Sequence, residues 1–278
     1  MRPMRKTLKM HCSNKLSNRW NENHIVKTAL ATIFVLDIEA SSALLKKLQH
    51  NKMMKTTLIL LIMMSITNSC RSALTENSYT ENPSKEEIIK LVTKNDLQGV
   101  KKALENNANV NSEDTNKRSI LLIATNNGNI EMAKLLVEYG ADVNLQAENM
   151  DSPFLYAGAS GQVELVKLFL DHGARFDLFN RYNGTALIPA CERGYVETVR
   201  LLANTKNFPL DHVNRLGWTA LMEAIVLGDG SKKYQEIIQI LKDAEAKLNI
   251  PDFNGTSPMQ HAKQRGFNEI VKILTSEI

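Results

Sequence analysis

The sequence predicts an all-α fold, a solenoid of helix-turn-helix units joined by β-hairpin loops, and three observations predict it. A six-residue opening (a small residue, two apolar positions, two variable ones and Ala) recurs at 119–124, 152–157, 185–190, 219–224 and 257–262, at intervals of 33, 33, 34 and 38 residues. A second marker, Asn111, Asn144, Asp177, Asp211 and Asn249, keeps the same four intervals. Between the markers the apolar residues fall at helical spacing. Ile130, Ala133, Leu136 and Val137 form one stripe, with Glu131, Lys134 and Glu138 on the wet side.

Each element follows from local chemistry. Ser119, Ser152, Thr185, Thr219 and Ser257 stand where a first helix needs an N-cap or first-turn hydroxyl. Gly140 and Gly173 follow the last turn of a second helix, where a left-handed residue ends it without steric strain, and Asn107 and Asn207 take that place in two other units. One unit has an apolar face that it cannot bury alone, so stability must come from stacking. Six units are expected, at 86–118, 119–151, 152–184, 185–218, 219–256 and 257–278, with a polar first unit at Lys85-Glu86-Glu87 and a truncated last one as caps. The fifth carries five extra residues around Gly228-Asp229-Gly230-Ser231-Lys232-Lys233, expected to widen one loop.

The segments 128–144 and 161–174, read residue by residue, resemble the ankyrin repeat, a unit of a β-turn followed by two antiparallel helices. The resemblance covers about 84–278. It implies a protein partner bound on the concave face formed by hairpin tips and first helices, and no enzymatic activity, metal or cofactor. Carried onto this chain, it points to Arg181, Tyr182, Arg193, Arg215, Leu216, Trp218 and Phe253 as the partner-binding residues. Trp, Tyr and Arg are also the residue types that dominate interface hot spots. Aromatic residues at hairpin positions can instead pack onto the next repeat, and that alternative stays open for Trp218 and Phe253. The chain departs from the family pattern in one respect: Leu122, Leu155, Ile188, Met222 and Gln260 stand where a His usually links neighbouring repeats.

Upstream lies a leader. Met54-Lys55 precede the apolar run Leu58 to Ile66 and the small polar end Thr67-Asn68-Ser69-Cys70, the three regions of a secretory signal. The run is shorter than the roughly 20 apolar residues a membrane-spanning helix needs. Residues 54–70 are therefore expected to be a signal peptide, with 1–53 an over-long or non-structured leader and 71–83 a tether. Its end resembles a bacterial lipoprotein signal, which implies lipidation at Cys70; cleavage near Ser69 or Ser72 is the alternative. Export to the periplasm or an envelope-anchored state follows from this, with secretion as the alternative.

Charge excludes a common function class. The chain carries 34 Lys and Arg against 30 Asp and Glu, a net +4. Residues 1–70 hold 11 of the basic and 3 of the acidic groups, leaving 23 basic against 27 acidic beyond them. The body is acidic and offers no phosphate-neutralising face, so nucleic acid is not an expected partner. Cys12, Cys70 and Cys191 are too far apart for a CxxC metal or redox arrangement, and His172, His212 and His261 lie in different units without a second ligand at metal spacing. No nucleophile, base and orienting acid converge. The expected function is a non-enzymatic, monomeric interaction scaffold outside the cytoplasm, either an immunity or inhibitor protein for a toxic effector or an accessory envelope scaffold; a secreted effector that binds host proteins is the alternative.

Overall fold

The computed structural model describes residues 83–276. They form twelve helices in six consecutive pairs: α1 (Lys85–Thr93) with α2 (Leu97–Glu105), α3 (Ile120–Asn126) with α4 (Ile130–Glu138), α5 (Pro153–Ala159) with α6 (Val163–Asp171), α7 (Leu187–Arg193) with α8 (Val196–Ala203), α9 (Ala220–Val226) with α10 (Lys232–Asp243), and α11 (Pro258–Gln264) with α12 (Asn268–Thr275). The first helices pack on one another in chain order, and the second helices do the same in a parallel layer. The only strand-like feature among the described residues is an isolated bridge between Glu113 and Ser119. The fold is the all-helical ankyrin-repeat solenoid, and no described helix is long and apolar enough to cross a membrane. The leader 1–53, the signal segment 54–70 with Cys70, and most of the tether lie outside the described residues.

One apolar core runs from Ile88 in α1 to Ile270 in α12. Each pair contributes a stripe: Ile120, Leu121 and Ala124 meet Met132, Ala133 and Leu136, and Leu187, Ala190 and Cys191 meet Val199 and Leu202. Three phenylalanines across the third and fourth repeats form a ladder, Phe154 to Phe176 at 6.1 Å and Phe176 to Phe208 at 4.9 Å between ring centres. Cys191 is fully buried, and desolvation, followed by the Glu223 charge, pushes its thiol up. Such a thiol packs as a small apolar side chain.

Helix ends follow the expected chemistry with one correction. The hydroxyls of Ser119, Ser152, Thr219 and Ser257 accept the backbone N–H three residues on, and Gln260 completes a capping box with Ser257. Thr185 does not cap: α7 opens two residues later at Leu187, after Ala186 in helical geometry, and the buried Thr185 hydroxyl has no hydrogen-bond partner. Second helices end on left-handed residues at Asn107, Gly140 and Gly173, with Glu245 filling that place in the fifth repeat at φ 64°, whereas α8 stops at Ala203 and the left-handed Asn207 stands three residues beyond its Asn204 cap. The expected wide loop in the fifth repeat is only part of the outcome. The linker 227–231 is two residues longer than 127–129, while α10 takes the other three, running 12 residues against 9 in α4. Tyr234 at its first turn is buried and donates its hydroxyl to the Glu192 carbonyl at 2.8 Å, fixing the longer helix to the preceding repeat.

Candidate interaction surface

The hairpins between repeats are built on one side chain each. Asp114, Asn180, Asn214 and Asp252 accept two backbone N–H groups apiece through Oδ1. These come from Asn116 and Arg118, Tyr182 and Gly184, Leu216 and Trp218, and Asn254 and Thr256. A short polar side chain thus ties each tip from within. In the second hairpin Ala147 stands at that register and the tip is closed instead by backbone bonds between Ala147 and Asp151 and by Asn149. In the fourth and fifth hairpins the other oxygen or nitrogen of the anchor bonds a first-helix side chain. Asp252 Oδ2 lies 2.8 Å from His261 Nε2, and Asn214 Nδ2 donates to Glu223 Oε1 at 2.8 Å.

Neighbouring repeats are stitched by the second periodic marker. Asn111 accepts the N–H of Asp142, Asn144 that of Arg175, and Asp211 that of Lys247. These bonds link consecutive repeats. Hairpin tips are also joined directly, Glu148 N–H donating to the Asn116 carbonyl and Arg215 N–H to the Tyr182 carbonyl at 2.9 Å.

On this frame four successive tips each present one large apolar side chain to solvent: Met150 (40% exposed), Tyr182 (54%), Leu216 (52%) and Phe253 (76%). The Arg181 guanidinium stacks on the Tyr182 ring at 4.9 Å, and Arg215 is exposed beside Leu216. The Phe253 ring leans on the fourth hairpin, 2.7 Å from where a Cβ on Gly217 would stand; Gly217 has φ +80°. Trp218 is half-buried, and both its backbone N–H and its carbonyl bond Asn214. Arg193 lies apart from the tips and donates to the Ala159 carbonyl, as Arg265 does to Val226 and Gly228 two repeats on. The structure therefore brings Arg181, Tyr182, Arg215, Leu216 and Phe253 onto one ridge and gives Arg193 a second duty, closing the C-terminus of α5.

Family comparison agrees with this geometry. The family model described as "Ankyrin repeats (3 copies)" matches residues 88–180 and 154–252. The chain belongs to the ankyrin repeat family. Among curated proteins it is similar to the ankyrin repeat protein YahD of Escherichia coli (strain K12), 43% identical over 74 residues. That match spans 27% of this chain and 36% of the length of YahD. Among solved structures it resembles an ankyrin repeat domain from Acinetobacter baumannii AYE, with 44% identity and a TM-score of 0.67 over 69% of this chain and 97% of that one. The ankyrin repeat protein EF0377 matches over the same shares with 39% identity and a TM-score of 0.67. Ankyrin repeats mediate protein partner binding, and the family is typically non-enzymatic.

Electrostatics on the inner face is uneven. Glu223 on α9 is 4% exposed, and burial, then the Glu192 charge, push its carboxyl up to about 7 against the Asn214 hydrogen bond. Burial also raises the Asp151 carboxyl, opposed by the Arg181 charge, the Asn149 hydrogen bond and, last, the Arg193 charge. Between the first two hairpins lies a recess of 390 Å³ lined by Asn116, Arg118, Asn126, Ala147, Glu148 and Asn149. Of these features, the sequence reading missed Met150 and the anchor set. The anchors carried a readable signal, since Asp114, Asn180, Asn214 and Asp252 keep the register of the repeats.

Proposed function

We propose that the chain is a non-enzymatic interaction scaffold that acts outside the cytoplasm and holds a protein partner on the hairpin ridge and the first helices beside it. The observation that carries the reading is the line of exposed apolar side chains on successive tips, Met150, Tyr182, Leu216 and Phe253, flanked by Arg181 and Arg215. Water-exposed side chains of this size add nothing to the core, and a row of them on a rigid frame is what a partner surface needs. The hydrogen bonds of Asp114, Asn180, Asn214 and Asp252 fix the tips before binding, which lowers the ordering entropy that association must overcome.

Export rests on the sequence pattern of residues 54–70, and lipidation at Cys70 would tether the domain to the envelope through residues 71–83. An immunity or inhibitor protein, or an accessory scaffold for an envelope enzyme, fits a preformed binding face. The test pairs affinity capture from the envelope fraction with Tyr182→Ala, Leu216→Ala and Phe253→Ala. The substitutions should abolish capture of the same partner while the melting temperature stays within a few degrees. Capture that survives all three substitutions would refute the ridge.

A further inference from the structure

The ridge is not uniform in charge. The first two hairpins, 114–118 and 147–151, carry three carboxylates, Asp114, Glu148 and Asp151, against two cations, Lys117 and Arg118, and Glu113 stands just before the first. The third and fourth hairpins, 180–184 and 214–218, carry Arg181 and Arg215 and no carboxylate. Apolar exposure follows the same direction, rising from Met150 to Phe253.

The recess sits at the acidic end. Arg118 does not make it cationic, because its Nη2 and Nε both engage the Asp114 carboxylate, at 2.6 and 2.7 Å. Asn149 is committed to Asp151 through both ends of its carboxamide. Three of the side chains lining the recess are left uncommitted among the described residues, the Asn116 carboxamide, which makes no hydrogen bond, and two that point to a ligand. Glu148 is an exposed carboxylate with no ion pair, and the Asn126 carboxamide at the end of α3 makes no hydrogen bond although its Oδ1 is buried. A buried amide oxygen without a donor is unfavourable by about 1–3 kcal/mol, a deficit that an incoming N–H relieves. An uncompensated carboxylate beside a free carboxamide in a recess of this size suits one guanidinium or ammonium group.

Resting on the reading of the ridge as the binding surface, we propose that its occupant is an extended peptide segment of opposite polarity. A Lys or Arg side chain sits in the recess at Glu148 and Asn126, and an apolar side chain with a neighbouring carboxylate lies over Leu216, Arg181 and Arg215. Stacked helices stand about 8–10 Å apart, so the recess and the fourth hairpin are separated by roughly 20–25 Å. An extended chain covers that distance in about six to eight residues. The Coulomb terms act at a solvent-exposed rim, so they select the partner and its direction more than they add affinity.

The probe is a phage-displayed library of random twelve-residue peptides selected on the full-length chain, with Leu216→Ala/Phe253→Ala and Glu148→Lys as comparison proteins. Glu148 is exposed and makes no ion pair, so the charge reversal should leave the circular dichroism spectrum and melting temperature unchanged. Selected peptides should carry a basic residue and an acidic-plus-apolar pair six to eight positions apart. Synthetic versions should bind Glu148→Lys about tenfold more weakly than wild type and lose that difference when their basic residue is replaced by Ala. Peptides that depend on Leu216 and Phe253 but show no such charge spacing, or bind Glu148→Lys equally well, would overturn the bipolar occupant and leave the ridge standing. Selection that ignores Leu216 and Phe253 altogether removes the ridge, and this proposal with it.

Discussion

The carboxylate of Glu223 accepts a hydrogen bond from Asn214 at 2.8 Å, and Asn214 is the side chain whose own Oδ1 holds the backbone of the fourth hairpin. The scaffold of the ridge and the acidic inner face therefore meet in one buried pair. Glu223 titrates at about 7 when folded against an ordinary value of 4.5. The folded protein then binds a proton that the unfolded chain has released. That contribution is complete below pH 4.5 and disappears as pH rises through 7. It amounts to up to about 3 kcal/mol at 1.36 kcal/mol per pKa unit. Urea denaturation of wild type and Glu223→Gln at pH 5 and pH 8 should show the wild type losing stability over this interval and the variant losing much less. Parallel curves would assign the loss to another group.

The anchors of the fourth and fifth hairpins predict opposite responses to the same chemical exchange. Asn214→Asp keeps the acceptor for Leu216 and Trp218 but replaces the donor facing Glu223 with a second carboxylate. Two buried carboxylates cannot both ionise cheaply, so the variant should be less stable by about 2–3 kcal/mol at pH 8 and recover below pH 5. Asp252→Asn keeps its acceptor for Asn254 and Thr256, and His261 can accept from the new amide by changing tautomer. Its melting temperature should change little. At present the His261 hydrogen bond holds the Asp252 carboxyl below its usual range. A steeper acid transition in the wild type than in Asp252→Asn, read by circular dichroism, checks the assignment.

The fold was legible because its signals are local and repeated. The caps at Ser119, Ser152, Thr219 and Ser257 and the left-handed ends at Gly140 and Gly173 each act within a few residues of themselves. The failure at Thr185 has a physical cause: Ala186 adopts helical geometry ahead of α7, so Thr185 no longer stands at the cap and its hydroxyl takes no backbone N–H. The candidate ridge was legible in part, through Tyr182, Leu216 and Phe253. Met150 was hidden because no sequence pattern distinguishes an exposed Met from a core one. The dual role of Arg193 was hidden as well, since its acceptor, the Ala159 carbonyl, lies 34 residues away.

Thr185 offers a direct contrast with the working caps. Its hydroxyl is buried without a partner, so Thr185→Val removes an unsatisfied group at nearly constant volume and should leave stability unchanged or raise it by about 1 kcal/mol. Ser152→Ala removes the acceptor for the Leu155 N–H and should lower stability by about 1 kcal/mol. Thermal melts of the two variants on either side of wild type would verify the difference, and a destabilised Thr185→Val would show that the hydroxyl has a partner.

Lys242 closes the C-terminus of α12 by an unusual route for a lysine. It is 3% exposed on α10, and its Nζ donates to the Ile273 carbonyl at 2.8 Å, to the Ser276 hydroxyl at 2.8 Å and to the Ser276 carbonyl. The last carbonyls of a helix lack intrahelical donors, and those of α12 end beside α10. An ammonium placed there satisfies them and opposes the negative end of the helix dipole. Lys242→Met keeps the length and apolar stem of the side chain but strands those carbonyls, so stability should fall by about 1–3 kcal/mol. The loss should be local first: amide hydrogen exchange should accelerate in 271–276 before it changes in α5 or α7. Uniform acceleration along the whole chain would instead mean that the last repeat and the centre of the stack open together.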